Sequence, residues 1–110
     1  MQVDRRAGRD RRAATRYRVS VEVEWENSWG RKTGTLGDIS DLGCFVMCSG
    51  EVEDATAVKI YLPLSNGTKY QFPAEVANHL LEVGFGARFV NLTPAQQDFI
   101  MSFVDAHKDD

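Results

Sequence analysis

The first eighteen residues carry the side chains of this chain that are best suited to binding chemistry. They are seven arginines: Arg5, Arg6, Arg9, Arg11, Arg12, Arg16 and Arg18. Together with Asp4 and Asp10 they give residues 1–18 a charge of +5, whereas six basic and fourteen acidic side chains give residues 19–110 a charge of −8. A positive segment attached to a negative body predicts an anionic partner for that segment.

A second polar motif, Asp38-Ile39-Ser40-Asp41-Leu42-Gly43, begins twenty-two residues after Arg16. It offers a carboxylate, a hydroxyl and a residue without a Cβ within one short segment. A purely local role is the alternative: Asp38 begins a turn, Ser40 binds nearby backbone, and Gly43 serves the turn. Both interpretations stay open at this point.

The periodicity of the chain changes between the two motifs. Residues 1–15 have no apolar face to bury, which predicts a flexible basic arm, and residues 16–107 form the predicted folded domain. From Tyr17 to Glu26, apolar and polar residues alternate five times, which is typical of a half-buried strand.

A hairpin is predicted to bring the arm and the second motif together. We expect a loop at residues 27–31 and a return strand over 32–39, in which Ser20 faces Asp38 and Arg18 faces Ser40. This pairing assumes that Glu26 faces Lys32, and a slip of one or two residues would leave its consequence unchanged. The second motif would then lie beside the point where the arm enters the sheet.

Further short strands complete the predicted domain. They are expected at residues 44–48, 58–62, 70–76 and 84–90, and Pro73 predicts that its strand is an edge strand or a bulged one. The run Thr93-Pro94-Ala95-Gln96 has the form of a helix N-terminus with a capping box. A helix of about three turns would bury one apolar stripe, consisting of Phe99, Ile100, Phe103 and Val104. These elements predict a small antiparallel barrel with a C-terminal helix.

With these motifs and predicted elements, the chain resembles a known family, the PilZ domain. Arg12 to Arg16 fits RxxxR, Asp38 to Gly43 fits [D/N]xSxxG, and residues 84–93 look like the family's last strand running into its helix. The resemblance extends from about residue 11 to residue 104. It implies a mainly β fold, a six-stranded antiparallel PilZ-type β-barrel with a C-terminal α-helix and a flexible basic N-terminal arm.

The resemblance also implies a ligand, the second messenger cyclic di-GMP, bound on the outside of the barrel by a receptor that is not an enzyme. Arg12 and Arg16 would grip guanine edges and phosphate, for which a planar guanidinium fork is well suited. Asp38 would accept from the donor edge of guanine, Ser40 would add a hydroxyl, and Gly43 would let a base lie close. In this family an arginine just before RxxxR, here Arg11, accompanies two bound molecules.

Other functions fit the sequence less well. A hydrolase would need more than Asp38, Ser40 and His79, and no GxSxG elbow is present. The histidines and cysteines lack a recognised metal spacing, so neither a metal nor a cofactor is expected. Cys44 and Cys48 stand too far apart along one strand to form a disulfide. The absence of an export signal and of any run of ~20 apolar residues predicts a cytoplasmic protein without membrane insertion.

The sequence also bears on the partners of this domain. Without an output domain, signalling would pass to an unidentified protein effector when the ligand rearranges the arm. The alternatives are a degenerate PilZ domain that acts as a protein-interaction module and a nucleic-acid binder that uses the basic arm. The acidic body makes nucleic acid the less favoured partner. Trp25 is expected in the core, and Trp29 is expected to pack over a barrel end rather than to touch a partner.

Overall fold

The predicted fold class is confirmed by a computed structural model that describes residues 15–49, 52 and 55–108. Six strands and one helix follow in order: β1 Tyr17–Asn27, β2 Gly30–Ile39, β3 Gly43–Met47, β4 Ala57–Pro63, β5 Lys69–Leu80, β6 Gly84–Phe89 and α1 Pro94–His107. The predicted arm lies outside the described residues, apart from its last residue, Thr15.

The strands form a closed antiparallel barrel in the order β1-β2-β3-β6-β5-β4, and β1 and β4 pair to close it. Strand β5 pairs with β4 on one side and with β6 on the other, so it is not an edge strand. It is bulged as predicted, but the bulge lies between Val76 and Asn78 and not at Pro73. Pro73 precedes the stretch that pairs with β6, where its missing N–H breaks no bond to that strand.

The core is built from the inward-facing residues of the strands and one stripe of the helix. Trp25 is almost fully buried, as predicted, and its ring meets Phe85 edge-on with a centroid distance of 4.8 Å. Of the predicted helix stripe, Ile100, Phe103 and Val104 are buried against the barrel and Phe99 is partly buried against the core. The capping box is present, with Thr93 Oγ1 accepting from the Gln96 N–H at 3.1 Å and the Gln96 side chain accepting from the Thr93 N–H at 2.9 Å.

The predicted register of the first hairpin is wrong. The turn contains only Ser28 and Trp29, because Gly30 has a φ of +129° and resumes the strand at once. Pairing is therefore shifted by one residue near the turn and by two at the other end, where Arg18 lies opposite Asp38. The second shift arises at a β-bulge between Arg18 and Val21. The predicted consequence survives, since Ile39 pairs with Tyr17 at the start of β1.

Trp29 does not pack over the barrel end, so that expectation is wrong. Its side chain is 76% exposed at the tip of the β1–β2 hairpin. A two-residue turn holds it beyond the last strand pair, Asn27 with Gly30.

The helix returns the chain to the beginning of the barrel. The ammonium of Lys108, just after α1, lies 5.7 Å from the centroid of the Tyr17 ring. Tyr17 is the first residue of β1 and follows Arg16 directly. The end of the helix therefore lies beside the point where the predicted arm joins the barrel. In the described part of the chain no helix is long and apolar enough to cross a membrane.

Candidate ligand-binding site

An ion pair joins the two motifs that the sequence singled out. Arg16 Nη1 donates to Asp38 Oδ1 at 3.2 Å, with 54% and 34% of the two side chains exposed. Arg16 immediately precedes β1, and Asp38 lies opposite Arg18 on β2. An exposed pair of this kind contributes only about 0–1 kcal/mol to stability. The contact therefore holds the two groups together loosely and leaves both open to another partner.

Ser40 has a structural role in the turn between β2 and β3. Its side chain is buried, and its Oγ accepts from the N–H of Leu42 at 3.1 Å and of Gly43 at 3.3 Å. The Ser40 N–H donates to the Gly43 carbonyl at 2.8 Å, which closes the two-residue loop. The local role that the sequence left open for Ser40 is thus present, and a direct contact of its hydroxyl with a ligand stays a prediction.

Gly43 is needed by the neighbouring strand. A Cβ at Gly43 would stand 2.2 Å from the carbonyl oxygen of Ala87 in β6, far inside contact distance. The loop is also tied to the end of β6, because the Phe89 N–H donates to the Leu42 carbonyl at 2.9 Å. The glycine therefore lets β3 approach β6 and fixes the turn that follows Asp38.

Four of the six predicted site residues lie in the described part of the chain. The structure brings Arg16 and Asp38 into contact and places Ser40 and Gly43 in the adjoining turn. Arg11 and Arg12 lie outside the described residues. RxxxR is thus represented in the structure by its second arginine alone.

A shallow open depression of about 390 Å³ lies beside the ion pair on the outer wall of the barrel. Two β-bulges meet there: one between Arg18 and Val21 in β1, and one at Gly37 in β2. Bulges bend a strand and re-aim side chains, and they are frequent next to binding sites. The depression is lined by Arg18, Val19, Ser20, Gly37, Asp38, Phe45 and Met47.

Sequence reasoning missed Phe45 and Met47 as neighbours of the site. Both project outward from β3, because the alternating residues Cys44 and Val46 are fully buried. The available signal was an aromatic and a methionine on the outward positions of a strand that begins directly after the second motif. The sequence analysis considered only polar residues and glycine as candidates for the site.

Charges of both signs surround the site, since Asp38 pairs with Arg16 and Arg18 lies on the wall of the depression. Arg31 and Arg88 each form ion pairs with carboxylates, whereas Arg18 has no ion pair with any described residue.

Beneath the wall, burial and then the charge of Asp38 raise the pKa of the Cys44 thiol to about 12, with Arg16 acting in the opposite direction. Cys44 is therefore a neutral core residue. Among the described residues no group of His, Cys, Asp or Glu is placed to hold a metal.

Comparisons with known proteins identify the family and the fold. The PilZ domain family matches residues 10–106. The PilZ domain of CeSA from a cellulose-synthesizing bacterium is 23% identical, with a TM-score of 0.67, over 84% of this chain and 96% of that one. The PilZ domain of Escherichia coli YcgR, solved with c-di-GMP, is 12% identical, with a TM-score of 0.72, over 88% of this chain and 91% of that one.

A longer protein contains the same fold. Borreliella burgdorferi PlzA, solved in complex with c-di-GMP, is 12% identical, with a TM-score of 0.70, over 88% of this chain but only 42% of that one. At these identities the structural likeness establishes the fold. No similar sequence is found among curated proteins.

Proposed function

This chain belongs to the PilZ domain family, and on that premise we propose that it is a receptor for cyclic di-GMP and not an enzyme. Solved PilZ structures of YcgR and PlzA contain that ligand. The observation that carries the proposal here is the ion pair of Arg16 with Asp38, which joins RxxxR to DxSxxG at the edge of an open depression.

The two paired groups complement different parts of the ligand. The Asp38 carboxylate takes the donor edge of a guanine, which needs an acceptor. Arg16, together with Arg12, takes the guanine O6 and N7 atoms or a phosphate, since a guanidinium binds either through two parallel hydrogen bonds. Ligand binding then exchanges one exposed ion pair, worth about 0–1 kcal/mol, for several charged hydrogen bonds worth about 1.5–3 kcal/mol each.

The turn that follows Asp38 supports the site from below. Ser40 fixes the loop through two backbone N–H groups, and Gly43 allows the close packing of β3 on β6. Both residues hold the Asp38 backbone in place before the ligand arrives, which lowers the ordering cost of binding. Their proposed contribution to affinity is thus at least partly preorganisation, alongside any direct contact.

We assign two cyclic di-GMP molecules to each domain, on the basis of Arg11. Two stacked molecules carry four guanines and four phosphates, and a third guanidinium next to RxxxR pairs with or stacks on the second copy. Arg18 adds a further positive charge on the wall of the depression.

The proposed output is a change in the surface offered to a partner protein. The arginines of the ligand motif stand at the junction of residues 1–15 with the barrel, so their engagement by the ligand repositions that segment. A protein effector that recognises the rearranged segment would then sense the ligand.

Calorimetric titration of the whole chain with cyclic di-GMP, GMP and a short RNA tests this function. We expect saturable binding of cyclic di-GMP, at least tenfold weaker binding of GMP and no binding of RNA at physiological salt. Arg12→Ala should weaken binding as strongly as Arg16→Ala, with Arg31→Ala, which breaks ion pairs at the far end of the hairpin, as the matched control. No heat and no chemical-shift change at millimolar cyclic di-GMP would show that the proposal is wrong.

A further inference from the structure

Outward-facing residues at one level of the barrel form a continuous row across five strands. Arg18 lies opposite Asp38, Asp38 opposite Phe45, Phe45 opposite Gly86, and Gly86 opposite Asn78. Side chains of such cross-strand neighbours on one face have Cβ atoms about 4.5–5.5 Å apart. The carboxylate of the second motif is therefore flanked by a cation on one side and by an aromatic ring on the other.

Among the residues that the structure describes, Phe45 has no packing role that explains its position. It is half-buried, yet it belongs neither to the core cluster nor to the partly buried residues packed against that cluster. Among the described residues, no other aromatic ring pairs with it. It stands on the outer wall and lines the depression beside Asp38.

The space around the Phe45 ring is shaped by glycines and a flexible side chain. Its neighbour on β6 is Gly86, and the side chain of Asn78 lies over that glycine: Asn78 Oδ1 accepts from the Gly86 N–H at 3.2 Å and lies 2.9 Å from where a Gly86 Cβ would be. On β2 the bulge residue is Gly37, and Met47 lies over it, with Cε 3.2 Å from where a Cβ would be. On β6 the ring thus has a glycine and a small amide as neighbours, and on β2 a glycine covered by a movable thioether.

We propose that Phe45 is a stacking platform for one guanine of the ligand. The inference rests on the proposed function and adds a binding residue outside the two sequence motifs. Asp38 fixes the edge of the base through its donors, and the adjacent ring covers the face of the base, while Met47 adjusts to its outline. Stacking on an aromatic ring is a strong and sequence-tolerant source of affinity for nucleobases, and Asp38 supplies the selectivity for guanine that stacking lacks.

The test compares whole-chain variants by calorimetry with cyclic di-GMP. Phe45→Leu keeps an apolar side chain of similar size but removes the ring face, and should raise Kd roughly tenfold or more. Phe45→Tyr keeps the face and should bind within about twofold of wild type. Trp29→Leu removes an exposed aromatic at the tip of the β1–β2 hairpin, away from the depression, and serves as the control; its affinity should be unchanged.

A direct readout on the unaltered protein avoids any dependence on how the variants fold. NMR of the wild-type complex should show nuclear Overhauser contacts between the Phe45 ring protons and a guanine H8 or ribose H1′, with an upfield ring-current shift of that H8. Wild-type binding with no such contacts, with equal affinity of Phe45→Leu, or with an equal loss in Trp29→Leu would overturn the platform and leave the proposed function standing. Failure of the wild type to bind at all would overturn both.

Discussion

Replacing the glycine of the second motif by alanine should destabilise the barrel, because Gly43 contacts the neighbouring strand and not the ligand. In Gly43→Ala the new methyl group would stand 2.2 Å from the Ala87 carbonyl oxygen, and also 3.2 Å from the Ala87 carbonyl carbon. Both Ala87 atoms belong to the backbone of β6, next to the point where β3 begins. The clash can be relieved only if β3 moves away from β6 by roughly 1 Å, as overpacked cores do at a cost of 1–3 kcal/mol.

That movement has a further cost at the end of β6. It stretches the hydrogen bond from the Phe89 N–H to the Leu42 carbonyl, now 2.9 Å long, and a lost buried hydrogen bond costs about 1–3 kcal/mol. We expect a combined loss of about 3 kcal/mol, which for a domain of this size lowers Tm by roughly 12–24 °C. Thermal unfolding without ligand, followed by circular dichroism, measures it.

Gly37→Ala is the matched variant. Its methyl group would meet only the flexible end of Met47, with Cε at 3.2 Å and Sδ at 3.6 Å. The stability should change by less than about 1 kcal/mol, since the added side chain also reduces the entropy of the unfolded chain. Gly37 lines the depression, however, so the displaced Met47 should weaken cyclic di-GMP binding several-fold in calorimetry.

The two glycines are thus expected to separate stability from binding. A Gly43→Ala protein that melts at the wild-type temperature but no longer binds would refute the reasoning, because Gly43 would then serve the ligand and not the strand. A Gly37→Ala protein with a strongly lowered Tm would contradict the role assigned to Met47.

Three other perturbations test separate parts of the site. Arg16→Ala and Asp38→Asn should each weaken cyclic di-GMP binding by about 1.5–3 kcal/mol in calorimetry and leave Tm within a few degrees, because their exposed ion pair contributes little; Arg31→Ala should change neither affinity nor stoichiometry. Arg11→Leu should reduce the stoichiometry from two ligands to one, and a wild-type titration that saturates at one equivalent would contradict this. The raised pKa of Cys44, about 12 against an ordinary 9.0, means that the folded protein keeps a proton that the unfolded chain loses, so stability falls as pH rises from 9 toward 12. Urea unfolding should show a loss of up to about 1.4 kcal/mol per pH unit that flattens in Cys44→Ala, and an unchanged slope would count against it.

The elements that local pattern specifies were predictable from sequence. The alternation after Tyr17 predicted β1, and the capping box at Thr93 predicted where α1 begins, because each depends on residues close together in the chain. The register of the first hairpin was not predictable. The β-bulge before Val21 does not interrupt the alternation of valines in the sequence. It becomes apparent only when β1 is paired with β2, because β1 then has one residue more than β2 between two paired positions.

The candidate site also contains features that the sequence predicted and features that it did not. Contact between Arg16 and Asp38 followed from two consecutive strands and was foreseen as proximity. The reason for Gly43 was not, because it depends on Ala87, forty-four residues further along the chain. Phe45 escaped notice because its neighbours in the row come from β2 and β6, and a linear sequence does not display a ring as exposed or as adjacent to a carboxylate.

The contact between Lys108 and Tyr17 has a consequence for how such a domain can be joined to others. The chain enters and leaves the barrel at nearly the same place. The domain can therefore be inserted into a surface loop of another protein without separating the two ends of that loop. Segments attached before Arg16 and after Lys108 would emerge side by side, next to the site. A donor and an acceptor dye placed at Thr15 and Lys108 would begin within a short distance of each other.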